Sequence, residues 1–188
     1  MKTILAFSGS SRLNSLNAKL LEKAETMAEA TGAVVETIDL RALNLPIYDG
    51  DFEAANGLPP AVIDLKEALR EADGFLIACP EYNSFPTPLL LNAIDWASRA
   101  GGGDPKALSV FQGKAAGLIA ASPSPLGGLR ALWMLRSLLQ NIGVVVAPSL
   151  AAVGGATLEL LDDEHFANSA HGRRVQAVID ELLRLSPS

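Results

Sequence analysis

The chain has 188 residues, of which 49% are hydrophobic and 19% charged, a balance that excludes disorder and suffices to close one substantial core. Its 15 basic and 21 acidic residues leave a formal charge of −6 with no run of like charge, which excludes a nucleic-acid partner, since that would need clustered Lys and Arg. The single cysteine, Cys79, cannot form an internal disulfide, so a reducing compartment, the cytoplasm, is expected.

In chain order, Met1-Lys2 runs straight into the apolar stretch Thr3 to Phe7, without the longer hydrophobic run and cleavage site of a secretory leader. No apolar stretch reaches the about 20 residues of a membrane helix, and a soluble protein is expected. Thr3 to Phe7 reads as the first strand. Leu20, Leu21, Ala24, Met27 and Ala28 then recur at helical spacing, with Gly32 placed to stop the helix. Val34 to Asp39 is the second strand, and its alternation suits a position near a sheet edge. Arg41 to Leu58 is predicted to be a long loop. Pro59-Pro60 opens a second helix, Phe75 to Cys79 forms the third strand, and Pro88 opens a third helix reaching about Ala100. Gly101 to Pro105 is a second loop. Ala115 to Ala121 is the fourth strand, a fourth helix runs from Gly127-Gly128 to about Asn141, and Val144 to Ala147 is the fifth strand. Asp162-Asp163-Glu164 is predicted to open a last helix to about Leu183.

The pattern is βαβαβαβαβα, and the four continuous apolar runs suit parallel strands covered on both faces. It predicts one α/β domain over residues 1–188: a doubly wound, five-stranded parallel sheet between two helical layers, since right-handed crossovers put successive helices on opposite faces. In such sheets ligands sit beyond the carboxyl ends of the strands where the strand order reverses. The segments after strands one, three and four are rich in small and polar residues: Ser8 to Asn17, Pro80 to Pro86 and Ser122 to Gly128.

The first of these packs hydroxyls, two Asn amides and Arg12 into ten residues before a helix N-terminus, where free N–H groups and the helix dipole favour an anion. Two readings stand side by side: a phosphate clamp, or a plain helix cap by Ser15 or Asn14 with Arg12 solvated. The loop has no G-x-G-x-x-G, and Gly113-Lys114 lacks the rest of a phosphate-binding P-loop. His165 and His171, six apart, make no zinc site, neither Ser-containing loop is a G-x-S-x-G elbow, and Cys79 reads as a buried small hydrophobe. With no acid–base set, the chemistry must come from a cofactor.

Four blocks in order, Gly9-Ser10-Ser11-Arg12 with Ser15 and Asn17, Pro80-Glu81-Tyr82-Asn83, Asn92-Ala93-Ile94-Asp95-Trp96, and Ser122-Pro123 with Gly127, Gly128 and Arg130, resemble the NADPH-dependent FMN reductase family, which includes chromate, quinone and azo-dye reductases. The resemblance spans nearly the whole chain. It implies a flavodoxin-like fold, bound FMN, and NADPH or NADH as electron donor. It implies that Ser10, Arg12, Ser15, Leu16 and Asn17 hold the FMN phosphate. Pro80, Glu81, Tyr82, Asn83 and Ser84 would wrap the ring edge, and Ser122 and Pro123 would approach from the third loop.

The implied activity passes a hydride from nicotinamide to FMN and then electrons to a small-molecule acceptor, by a ping-pong mechanism. The alternatives are a non-enzymatic electron carrier of the flavodoxin kind and a phosphate-ligand binder or phosphohydrolase. The start of the fourth helix, with Arg130, is expected to steady negative charge on the flavin. The family's frequent lysine before the asparagine of the third block is Leu91 here. The third and fourth helices are apolar nearly all round, which together with the resemblance leads to the expectation of a homodimer or a dimer of dimers. Tyr48 and Gly101 to Pro105 are candidates to shape the acceptor pocket from a second subunit.

Overall fold

The computed structural model describes residues 1–187. Five strands form one parallel sheet in the order β2-β1-β3-β4-β5: β1 Thr3–Ser8, β2 Val34–Ile38, β3 Gly74–Ala78, β4 Ala115–Ser122 and β5 Val145–Gly154. Pairing in register, Ile4 with Gly74 and Gly74 with Ala115, brings Ser8, Ala78 and Ser122 to one rim. The order reverses between β1 and β3, so the crevice of an open α/β sheet falls beside the end of β1.

Seven α-helices flank the sheet: α1 Leu16–Glu29, α2 Gly50–Asn56, α3 Pro60–Glu71, α4 Pro88–Ala97, α5 Leu129–Asn141, α6 Leu158–Asp162 and α7 Ala170–Leu185. Strand residues alternate between two cores. Leu5, Phe7, Phe75, Ile77 and Leu118 meet the side built by α3, α4 and α5, whereas Ile4, Ala6, Leu76 and Ile119 meet α1 and α7. Both faces are therefore sealed by apolar packing, as the continuous hydrophobic runs require. Among the described residues no helix is long and apolar enough to cross a membrane.

Several expectations need correction. Arg41 to Leu58 is not all loop: Asp49 accepts hydrogen bonds from the main-chain N–H groups of Asp51 (2.8 Å) and Phe52 (3.1 Å) and caps α2. The acidic run at Asp162 does not open the last helix. It ends the short α6; a 3-10 turn at Phe166–Asn168 follows, and Ser169 caps α7. The fifth strand is an edge strand like β2 and continues to Gly154 past an irregularity opposite Ala116 and Leu118. Pro148 is tolerated there because an edge strand has an unpaired side.

The excess apolar surface of α4 is largely covered by the chain itself. Trp96 is fully buried, with the rings of Tyr48 and Phe52 edge-on to it at 5.0 and 6.2 Å. Its indole N–H donates to the Pro46 carbonyl (2.7 Å), which also receives the Asn92 amide (2.9 Å), and the Asn92 carbonyl oxygen takes the Tyr48 N–H (2.8 Å). The Asn-x-x-Asp-Trp block thus fastens the segment after β2 onto α4.

Candidate flavin site at the carboxyl ends of β1, β3 and β4

The three polar segments converge. Ser10, Arg12, Ser15, Leu16 and Asn17 from the first, Pro80, Glu81 and Tyr82 from the second, and Ser122 and Pro123 from the third line one crevice of about 130 Å³. Asn83 and Ser84 are not on that lining. They occupy the tip of the second segment, where Tyr82 and Phe85 exchange main-chain hydrogen bonds of 3.0 Å and both tip residues have positive φ, 52° and 68°. Two left-handed central residues make this a type I′ turn, which Asn enters easily and Ser less so.

Three ties hold the segments together. Thr87 donates its hydroxyl proton to the Gly9 carbonyl at 2.6 Å, and a side chain at Gly9 would strike that hydroxyl at 2.7 Å. Asn17 is buried, its amide donating to the Ala121 carbonyl (2.9 Å) and accepting from the Ala121 N–H (3.0 Å). The Glu81 carboxylate receives Arg130 Nε at 2.8 Å, a second guanidinium bond from Arg130 Nη2, and the Ala131 N–H at 3.3 Å. Burial alone would raise the Glu81 carboxyl, but the Arg130 and Ala131 bonds hold it below the usual carboxylate range.

These ties bear on two expectations. The side chain of Asn17 ties the first loop to β4 through its carbonyl oxygen and one amide N–H, while the residue itself stays on the crevice lining. Arg130 and the start of α5 are occupied by Glu81, which neutralises the charge expected to face the flavin. Thr87 was not singled out from sequence. Its place before Pro88 marks it as a helix cap, but the bond to Gly9, 78 residues away, had no local signal. Cys79 is fully buried and burial pushes its thiol up to about 12, which keeps it inert. His165 is exposed and His171 half-buried.

The first loop fits an anionic head group. Ser15 caps α1 by accepting from the N–H groups of Asn17 (3.1 Å) and Ala18 (3.2 Å), so the capping reading holds for this residue. The N–H groups of Ser10 and Arg12 turn onto the hydroxyls of Ser8 and Ser10. Those of Ser11, Asn14, Ser15 and Leu16 meet no acceptor among the described residues, and the exposed Arg12 guanidinium meets no carboxylate. Unpaired N–H groups at a helix start beside an unpaired guanidinium are what a phosphate needs.

The sequence profile of the NADPH-dependent FMN reductase family matches residues 2–157. The chain belongs to this family. It is therefore an oxidoreductase with FMN as cofactor and NAD(P)H as donor. Among curated relatives, the NAD(P)H-dependent FMN reductase PA1204 of Pseudomonas aeruginosa is 36% identical over 168 residues, covering 86% of this chain and 85% of the relative. A quinone reductase of Escherichia coli K12 is 32% identical over 162 residues, covering 86% and 81%. The solved structure of FerB, a flavoenzyme NAD(P)H:(acceptor) oxidoreductase from Paracoccus denitrificans, superposes with a TM-score of 0.79 at 29% identity, covering both chains completely.

Proposed function

We propose that this FMN reductase passes electrons from NAD(P)H to a small acceptor, a quinone, free flavin, azo dye or chromate, and that donor and acceptor use one opening in turn, giving ping-pong kinetics. The observation that carries the reading is the convergence of three loops on one crevice beside Arg12, whose guanidinium meets no carboxylate among the described residues. When bound there, FMN supplies the two-electron chemistry. Ser10, Arg12, Ser15, Leu16 and Asn17 hold its phosphate through hydroxyl, guanidinium, amide and main-chain donors, and Asn17 also anchors their loop to β4. Pro80 to Ser84 border the ring, and Ser122 with Pro123 closes the third side. Tyr82 and Phe85, 42% and 53% exposed, offer flat apolar surface at the rim where an aromatic acceptor would stack.

In this reading one flavodoxin-like domain spans 1–188 and works in the cytoplasm as a homodimer, to which the exposed Trp133 and Met134 of α5 contribute. The test is a visible spectrum of the protein loaded with FMN, followed by anaerobic titration with NADPH and with NADH, then initial rates against a quinone. Bleaching by either nucleotide alone and parallel double-reciprocal lines are expected. Intersecting lines would remove the ping-pong scheme, and failure to take up FMN would remove the site.

A further inference from the structure

A second cavity, of about 260 Å³, opens between α1, the end of β2 and the first loop, and it shares Ser10 and Arg12 with the flavin crevice. Its walls combine three chemistries. Leu21 and Ile38 give apolar surface. Arg12 and Arg41 bring two guanidiniums with no acceptor among the described residues, whereas Arg70, Arg99, Arg130 and Arg136 are all bonded to carboxylates or carbonyls.

The third component is a set of acceptors. Glu25, half-buried, is held by the Thr37 hydroxyl at 2.8 Å, Glu22 is exposed and takes Lys19 Nζ at 3.1 Å, and Asp39 follows β2 directly. One Asp39 oxygen accepts the N–H groups of Arg41 (2.9 Å) and Ala42 (3.2 Å), and the other has no partner among the described residues. Burial raises the Glu25 carboxyl, the nearby Glu22 and Glu29 add to it, and the Thr37 hydroxyl opposes it.

We propose that this cavity is a subsite for an adenosine 5′-phosphate moiety, its phosphate between Arg41 and the face of Arg12 at the junction of the two cavities, and its nucleoside inside the second. The inference rests on the flavin phosphate occupying the neighbouring crevice. A nucleoside needs apolar walls for the base and acceptors for the ribose hydroxyls, and a carboxylate just after the second strand of a doubly wound sheet is well placed for the latter. The volume lies just below the roughly 300–1,000 Å³ of pockets for larger ligands, so it suits one nucleoside and not a whole dinucleotide. Carboxylates inside the cavity disfavour a phosphate among them and leave it to the two guanidiniums.

Two molecules carry this moiety: FAD, in which it extends the flavin phosphate, and the NAD(P)H donor. Calorimetry of FMN-loaded protein with 5′-AMP, and quenching titrations of the apoprotein with FMN and with FAD, separate them. If the donor uses the subsite, AMP binds the loaded protein and competes with NAD(P)H. Arg41→Ala and Glu25→Leu then raise the donor KM about tenfold, the size of one lost charge-assisted bond, at unchanged kcat and FMN affinity. If FAD uses it, the apoprotein binds FAD about tenfold more tightly than FMN by the same reckoning, and either substitution erases the difference. The inference is overturned if AMP neither binds nor competes and FAD binds no more tightly than FMN while FMN still binds. Loss of FMN binding itself would instead strike the flavin reading.

Discussion

Arg12 and Ser84 show the two ways a residue at this site can be out of its ordinary place. The Arg12 guanidinium has no partner among the described residues, so its removal leaves the folded chain intact and acts on the ligand. Arg12→Ala is expected to weaken FMN binding by about ten- to a hundredfold, the equivalent of a charge-assisted hydrogen bond of about 1.5–3 kcal/mol, with an unchanged circular dichroism spectrum. Arg12→Lys should restore only part of it, because an ammonium lacks the planar fork. Equal FMN affinity in all three proteins would place the phosphate elsewhere. Ser84 is strained at φ 68°, and Ser84→Gly should stabilise the apoprotein by about 1 kcal/mol, read as a higher urea midpoint; a lower midpoint would show that the Ser84 side chain contributes more than its backbone costs. Hydroxyls, amides and Arg12 crowded into one loop were legible because their types alone suit a phosphate. Glu81 was legible as a member of the second loop, but its commitment to Arg130 was not, since a carboxylate and a guanidinium 49 residues apart meet only through the β3 to β4 pairing.

Between α4 and the segment that follows β2, a few polar atoms hold an otherwise thin element in place. Asn92 makes bonds of 2.8 and 2.9 Å to Tyr48 and Pro46, and α2 itself buries no residue. Asn92→Ala should therefore cost about 1–3 kcal/mol and speed hydrogen exchange at the Tyr48 amide; an unchanged exchange rate there would mean the aromatic contacts suffice. Glu53 adds an acid-sensitive hold. Its carboxylate receives Arg99 Nε at 2.8 and 3.0 Å and the Tyr48 hydroxyl at 2.9 Å, and Arg99 holds the Glu53 carboxyl below the usual range. A carboxyl depressed in the folded state adds stability that is complete above its unfolded value, about 4.3, and fades as pH falls through the lower folded value. The stability difference between the native protein and Glu53→Gln should accordingly be level from about pH 8 to 5 and shrink below about 4; a difference that persists in acid would assign the role of Glu53 to packing. This element also marks where sequence reading stops. The four continuous apolar runs were legible as strands because buried parallel strands carry their signal locally, and β2 by its alternation. A seven-residue helix is too short to stand on its own propensity, and α2 exists because Trp96, 44 residues beyond Phe52 in the chain, gives Phe52 and Tyr48 something to cover. The late start of α7 was hidden for a related reason: Asp162-Asp163-Glu164 has the charge of a helix start, but Ser169 supplies the cap that is used.

At the scale of the whole molecule, the apolar surface that remains decides where a second copy can sit. Sequence periodicity marked both α4 and α5 as too apolar for a helix with one face in water. In the fold Trp96 is wholly covered within the chain, while on α5 Trp133 and Met134 stay 52% and 40% exposed. The proposed homodimer therefore has its best anchor on α5 and not on the Asn-x-x-Asp-Trp block. A large aromatic side chain at the centre of an interface contributes at least about 2 kcal/mol, which is about thirtyfold in the dissociation constant. Sedimentation velocity on the FMN-loaded native protein should give a dimer at micromolar concentration. Trp133→Glu, which also sets a carboxylate against its own symmetry mate, should shift it to monomer with the flavin spectrum retained. A monomeric native protein would remove the homodimer, and a Trp133→Glu protein as dimeric as the native one would move the interface off this face of α5, leaving Tyr82 and Phe85 at the crevice rim as the next exposed aromatic surface to test.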